Sequence, residues 1–162
     1  MKHIRHYFCT ALLGTAVLTA CSGAEKVKSN TPVQITMWNY YNGAQKEEMD
    51  RLVQEFNDTV GLKQKIVVES VSKGSVSELE DAVRDSTDGK TGSDPLPDFC
   101  SAYADAAYDL WKKDKISDFR PYLTDEEYDS YISGYLEEGN FRTNAAMMIF
   151  PVAKSTEVLT LN

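Results

Sequence analysis

Histidine is nearly absent from this sequence. Its two histidines, His3 and His6, both lie at the amino terminus. We predict below that residues 1–20 are removed on export, which leaves a chain without imidazole. Such a chain has no Ser-His-Asp or Cys-His catalysis and no zinc site that needs a histidine ligand. We therefore expect no metal ion and no other cofactor.

The sequence also lacks a cysteine pair for a structural disulfide. Of Cys9, Cys21 and Cys100, the first leaves with the predicted signal and the second is the predicted lipid attachment site. Cys100 then has no partner within the chain. An exported protein without a disulfide depends on packing for its stability. We expect Cys100 to be a small buried residue rather than a nucleophile.

Positive charge is scarce. The chain has 17 Lys and Arg residues against 25 Asp and Glu residues, and its net charge is −8. Removal of Lys2 and Arg5 with the signal makes the charge more negative still. An acidic surface repels the phosphate backbone of nucleic acids. Nucleic acid is therefore excluded as an expected partner.

No apolar run is long enough to cross a bilayer. The longest, Phe8 to Ala20, is well short of the roughly 20 residues that a spanning helix needs, which argues against an uncleaved membrane helix. It follows a basic start and ends in Leu18-Thr19-Ala20-Cys21, which is typical of a lipobox. We predict a lipoprotein signal peptide over residues 1–20, a lipid on Cys21, and a flexible tether over residues 21–32. The protein would be lipid-anchored at the extracytoplasmic face of the cell membrane.

The first regular elements predicted are a strand and a helix. Residues 33–38 alternate apolar and polar side chains, as a strand with one buried face does. Asn42 is predicted to cap the following helix, with Gln45 three residues on, and Gly61 is predicted to end it. The apolar stripe of this helix comprises Met49, Leu52, Val53, Phe56 and Val60.

The rest of the chain repeats this alternation. We predict a strand over residues 66–71, which are rich in β-branched side chains, and a third, short strand over residues 98–101. Ser75 with Glu78, and Thr124 with Glu127, have the spacing of a capping box. Helices are therefore predicted from Ser75 to about Asp85, from Ala104 to Lys113 with Ala107, Leu110 and Trp111 inward, and from Thr124 to about Gly134, and an extended segment over 147–161. Alternating strands and helices indicate an α/β fold with a parallel or mixed sheet.

Candidate binding residues follow the predicted strands. In open α/β sheets, ligands bind where loops leave the carboxyl ends of the strands. Aromatic faces there stack on the C–H faces of a sugar ring, and amides, hydroxyls and carboxylates pair with its hydroxyl groups. For any one aromatic, packing under a loop is the competing interpretation. The candidate ligand-binding residues are Trp38, Asn39, Tyr40, Tyr41, Tyr103, Asp105, Lys154, Ser155, Thr156 and Glu157.

These residues together resemble the extracellular solute-binding lipoproteins of ABC importers, the group related to maltose-binding proteins. The resemblance implies a two-lobed receptor that closes on a sugar or oligosaccharide and delivers it to the permease subunits of the transporter. It implies ligand contacts in the loop after Trp38, in the turn at Tyr103 to Asp105, and in Lys154 to Glu157. It rests on the lipobox, Ile35-Thr36-Met37-Trp38, Pro97-Asp98-Phe99 with Tyr103 and Asp105, and Phe150 to Leu159.

Members of this family are far longer. The sequence ends at Asn162, about where the family enters its second lobe, and has Thr160 and Leu161 where tyrosine is common. We therefore expect a periplasmic-binding-protein-like first lobe, with a mixed sheet flanked by helices and the second lobe missing. Residues 33–150 would form the amino-terminal lobe and residues 151–162 a hinge strand, and the chain would be a fragment or early-terminated product.

Two other functional classes remain open. A lipid-anchored glycosidase would use paired carboxylates such as Asp105 and Glu157, at roughly 5 to 9.5 Å from each other. A sensory accessory module would hand its ligand to a signalling partner. The expectation from the resemblance is a binding protein rather than an enzyme.

Overall fold

The computed structural model describes residues 31–141 and 146–153. The predicted signal peptide, Cys21, most of the tether and Lys154 to Glu157 lie outside the described residues. The regular elements are β1 Val33–Asn39, α1 Gly43–Phe56, a π-helical turn Asn57–Gly61, α2 Leu62–Gln64, β2 Ile66–Ser72, α3 Val76–Thr87, β3 Phe99–Cys100, α4 Ala104–Lys112, a 3-10 turn Arg120–Tyr122, α5 Asp125–Asp129 and α6 Ser133–Glu137.

The sheet has the order β2-β1-β3, and both strand pairs are parallel. β1 pairs with β2 over its whole length, from Val33 opposite Ile66 to Asn39 opposite Ser72. Its pairing with β3 is limited to Met37 opposite Phe99 and Trp38 opposite Cys100. The α/β fold class is confirmed. No antiparallel strand of the expected mixed sheet lies within the described parts of the chain.

The core lies between the sheet and the helices α3 and α4. Trp38 of β1 is 3% exposed and packs with Leu79 and Val83 of α3 and Leu110 of α4. The sequence predicted these α3 and α4 residues as inward-facing, and Ala107 is buried as expected, whereas Trp111 is only half-buried. Since the crossovers from β1 to β2 and from β2 to β3 run in opposite directions, right-handed connections put α1 on the other face of the sheet.

The prediction of a buried stripe on α1 was wrong in part. Met49, Val53 and Phe56 are half-buried, but Leu52 is 48% exposed and no residue of this fully described helix is buried. Val60, which the pattern placed on the same stripe, is also exposed. With three strands in the described sheet, the stripe has little apolar surface to pack against.

Gly61 does not end the first helix. The helix continues through the π-helical turn and α2, and it ends at Lys65, whose φ of 57° is left-handed. Gly61 is buried, and a Cβ on it would lie 2.5 Å from the backbone oxygen of Ile66. A glycine is therefore needed here for the close approach of β2 and not for a helix C-cap.

Two of the three predicted N-cap side chains make a capping hydrogen bond. Ser75 Oγ accepts a hydrogen bond from Glu78 N, and Thr124 and Glu127 form a complete capping box. Asn42 stands at the N-cap of α1, but its side chain accepts no cap bond, and its Nδ2 donates to Gly74 O at 3.0 Å. The helix predicted to run to Gly134 ends at Asp129, and α6 is a separate helix.

Residues 146–153 contain no helix or strand, in agreement with the predicted extended segment. Met147 is 1% exposed, and its backbone oxygen accepts from Phe119 N. The chain passes close to Gly139, where a Cβ would meet the backbone of Ile149 at 2.8 Å. Across residues 31–141 and 146–153, no helix combines the length and apolar character of a membrane span.

Candidate functional site

The candidate site lies at the carboxyl edge of the sheet, between the loops that follow β1 and β3. These strands are neighbours, and the helices that follow them, α1 and α4, lie on opposite faces. Such a switch point leaves a crevice where ligands bind in open α/β sheets. The loop after β1 carries Tyr40 and Tyr41, and the loop after β3 carries Tyr103.

The three tyrosines are in contact, and we call them the tyrosine cluster. The rings of Tyr40 and Tyr103 are stacked, with centroids 6.4 Å apart and an interplanar angle of 15°. Tyr41 lies against Tyr40 at 5.1 Å with its ring tilted by 54°. Tyr103 is 52% exposed, whereas Tyr40 and Tyr41 are half-buried. The cluster therefore presents an aromatic surface to solvent.

The phenol of Tyr40 stays neutral over the physiological range. Its pKa is raised above its ordinary value, chiefly because burial disfavours the phenolate, with a hydrogen bond to Tyr103 and electrostatic repulsion from Tyr103 and Tyr41 as further causes. A neutral phenol both donates and accepts hydrogen bonds. That character suits an uncharged hydroxylated ligand.

Trp38 and Asn39, also predicted as ligand contacts, lie beneath the cluster. Asn39 is 2% exposed, its Nδ2 donates to Ser70 Oγ at 2.9 Å, and its Oδ1 accepts from Tyr41 N at 3.0 Å. Trp38 belongs to the core. In this arrangement both side chains support the loop. For Trp38, this agrees with the alternative interpretation that an aromatic side chain packs under a loop and does not bind a ligand.

Asp105 is an exposed residue in the first turn of α4. Its Oδ1 accepts from the backbone nitrogen of Ala106 at 2.9 Å. The carboxylate borders a cavity of about 180 Å³ between α3 and α4, with Leu79 and Val83 among its lining residues. The sequence thus placed Asp105 near the same edge of the sheet as Tyr103.

Lys73 was missed by the sequence analysis. It follows β2 directly, so the rule that selected the loops after β1 and β3 also applies to it. Its ammonium lies over the ring of Trp38, 3.7 Å from the ring centroid, and 3.0 Å from Asp94 Oδ2. Its backbone nitrogen donates to Asn39 O at 2.8 Å.

The described residues hold no group of three or more His, Cys, Asp or Glu side chains suited to a metal ion.

Solved structures of two proteins share this architecture. One is the Thermus thermophilus maltotriose binding protein bound with maltotriose, at 17% identity and a TM-score of 0.53. The other is CpMnBP1 with mannotriose bound, at 17% identity and a TM-score of 0.52. The fold is that of the first lobe of a solute-binding protein.

The match covers 70% and 71% of this chain but only 28% and 27% of the two proteins. The chain therefore spans less than a third of the length of either protein. No protein-family model matches this sequence, and no curated protein does. At this level of identity the comparison establishes the fold, and the resemblance to solute-binding proteins is confirmed to that extent.

Proposed function

We propose that this chain binds a neutral sugar or oligosaccharide at the tyrosine cluster. It would do so as the substrate-binding lipoprotein of an ABC importer, held to the membrane by a lipid on Cys21. The observation that carries the proposal is the stacked pair Tyr40 and Tyr103 at the switch point of the sheet. The transport role and the location rest on the sequence resemblance described above.

The chemistry of the cluster favours an uncharged ligand. Tyrosine faces attract the C–H faces of a pyranose ring, and their hydroxyls pair with sugar hydroxyls. Asp94 neutralises the nearby ammonium of Lys73. A neutral polyhydroxylated molecule therefore needs no charged partner at this surface. The trisaccharides bound by the two similar proteins are the natural first probes.

Binding without turnover separates this proposal from a glycosidase. The glycosidase alternative needs Asp105 together with Glu157, and Glu157 lies outside the described residues. Incubation with maltotriose or mannotriose should leave both sugars intact. Release of shorter sugars would contradict the binding role and support hydrolysis.

The central test is a sugar titration of the full chain by calorimetry, in the same detergent for every sample. We expect saturable binding of maltotriose or mannotriose. Tyr103→Ala should weaken it about tenfold, the equivalent of one lost aromatic contact. Tyr122→Ala is the matched control, because Tyr122 is 81% exposed and lies in the 3-10 turn. The proposal fails if neither sugar binds, or if the two variants lose affinity equally.

The membrane anchor has a separate test. Cys21→Ala removes the thiol that would carry the lipid, so the variant should leave the membrane fraction of expressing cells. Cys100→Ala serves as the control and should stay with the membrane. Unchanged retention of the Cys21→Ala chain would rule out the lipid anchor while leaving sugar binding to be judged by the titration.

A further inference from the structure

Lys73 holds together three parts of the chain around the candidate site. Its ammonium contacts the ring of Trp38 at the end of β1 and the carboxylate of Asp94 in the loop between α3 and β3. The Lys73 side chain is only 17% exposed, whereas that of Asp94 is 68% exposed. A cation this far removed from water is stabilised by the ring and the carboxylate together.

Hydrogen bonds between residues 72–74 and the loop after β1 hold that loop on both sides of Tyr40. On one side, Lys73 N donates to Asn39 O at 2.8 Å. On the other, Ser72 Oγ donates to Tyr41 O, and Asn42 Nδ2 donates to Gly74 O at 3.0 Å. The position of the loop after β2 therefore sets the position of Tyr40 and Tyr41.

We infer that Lys73 is a positioning residue for the tyrosine cluster and fixes it by clamping the loop after β2 and the Asp94 loop onto Trp38. The inference rests on the proposed function in naming a sugar as the ligand. In this inference Lys73 acts through the tyrosines rather than by binding the sugar, since its ammonium is directed at the Trp38 ring and at Asp94. Loss of the charge removes the two side-chain contacts that help to hold the loop after β2, and it leaves Asp94 without its cation.

The clamp is tested with variants of the full chain. Lys73→Met keeps the length of the side chain and removes the charge, and Lys73→Arg restores a cation that also binds a carboxylate and an aromatic ring. Lys112→Met is the matched control. Lys112 likewise pairs with a carboxylate, Asp109 at 2.7 Å, and lies over the ring of Tyr108 at 5.0 Å, but at the end of α4.

The first readout is independent of any ligand. Hydrogen–deuterium exchange should become faster in residues 39–42 and 88–98 of Lys73→Met, and stay as in the wild type in Lys112→Met. Asp94→Asn, an exposed change that leaves the core intact, should accelerate exchange in residues 88–98 alone. Wild-type exchange in both segments of Lys73→Met would overturn the inference. If Lys73→Met does not fold, Asp94→Asn tests the half of the clamp that holds the Asp94 loop, and unchanged exchange in residues 88–98 of that variant overturns the inference.

The second readout is affinity for maltotriose. Lys73→Met should bind about tenfold more weakly, because sugar binding must then also order the loosened loop after β1, and Lys73→Arg should recover most of the affinity. Weaker binding without faster exchange in residues 39–42 would show a direct ligand contact and contradict the positioning role. A wild-type chain that binds no sugar would refute the proposed function, while the exchange data would still decide the clamp.

Discussion

Asn57 and Val68 are joined by two hydrogen bonds of 2.8 Å. Val68 N donates to Asn57 Oδ1, and Asn57 Nδ2 donates to Val68 O. β2 lies at the edge of the described sheet, so the side-chain amide of Asn57 occupies a pairing position that another strand would use. The π-helical turn that begins at Asn57 thus shields the edge of β2, a protection that exposed edge strands need.

We expect Asn57→Ala to lower the free energy of unfolding by about 1 to 3 kcal/mol, because two backbone groups of a half-buried strand residue lose their partner. The variant should also aggregate more readily. Urea unfolding and light scattering measure the two effects. Gln54→Ala is the control, since Gln54 bonds only the exposed Asp58 side chain. Equal free energies of unfolding of the two variants would show that the hydrogen bonds of Asn57 do not stabilise the edge of β2.

Gly61→Ala should destabilise the chain by about 1 to 3 kcal/mol, because the new Cβ has to displace the backbone of Ile66. Gly134→Ala is a sharp contrast. Gly134 lies in α6, and a Cβ added to it would meet nothing within 4 Å, so alanine should stabilise that helix by up to about 1 kcal/mol. Thermal unfolding of both variants gives the comparison, and a neutral Gly61→Ala would mean that β2 adjusts freely.

The raised pKa of Tyr40 predicts a loss of stability at high pH. A group whose pKa is higher in the folded chain stabilises fully below its ordinary pKa of about 10, and this contribution disappears as the pH rises through the folded pKa. The free energy of unfolding should therefore fall above about pH 10, and less steeply in Tyr40→Phe. Urea unfolding across that range, with tyrosinate absorbance as a second probe, tests it. Identical pH profiles of the wild type and Tyr40→Phe would exclude Tyr40 as a source of the stability lost at high pH.

Cys100 is a free, half-buried cysteine, and burial raises the pKa of its thiol. Since the thiolate is the reactive form, Cys100 should react with a thiol reagent at neutral pH at least about tenfold more slowly in the folded chain than in urea. Cys100→Ala identifies its share of the reaction. Equal rates in both conditions would place the thiol at the surface and contradict its predicted role as a packed residue.

The sequence predicted those features that depend on neighbouring residues. Ser75 and Thr124 cap their helices because the bond to the third following residue closes within one turn. Tyr40 and Tyr103 meet because the carboxyl ends of adjacent parallel strands share an edge of the sheet. The capping bonds need only sequence spacing. The sequence named Tyr40 and Tyr103 as candidates at strand ends, whereas their contact depends on β1 and β3 being neighbours, which only the structure shows.

The predictions that failed depend on distant contacts. Asn42 was predicted to cap α1 by a local bond, but the bond that its side chain makes is from Nδ2 to Gly74 O, which comes close only in the folded sheet. Gly61 looked like a helix C-cap, and only the return of the chain at Ile66 shows why a side chain does not fit. The rule that ligands bind at the carboxyl ends of strands also applies to Lys73. Its position over Trp38, however, could be seen only once the packing of the core was known.

The unequal pairing of β1 has a consequence for the order in which the chain folds and opens. β1 pairs with β2 over seven residues and with β3 over two. The contact from Asn39 to Ser70 spans 31 positions, and that from Thr36 to Asp98 spans 62. Closing the longer loop costs more conformational entropy, and the β1–β3 pairing offers fewer hydrogen bonds to offset that cost. β3 should therefore dock last and detach first. Tyr103 detaches with it, so the tyrosine cluster separates before the β1–α1–β2 unit unfolds.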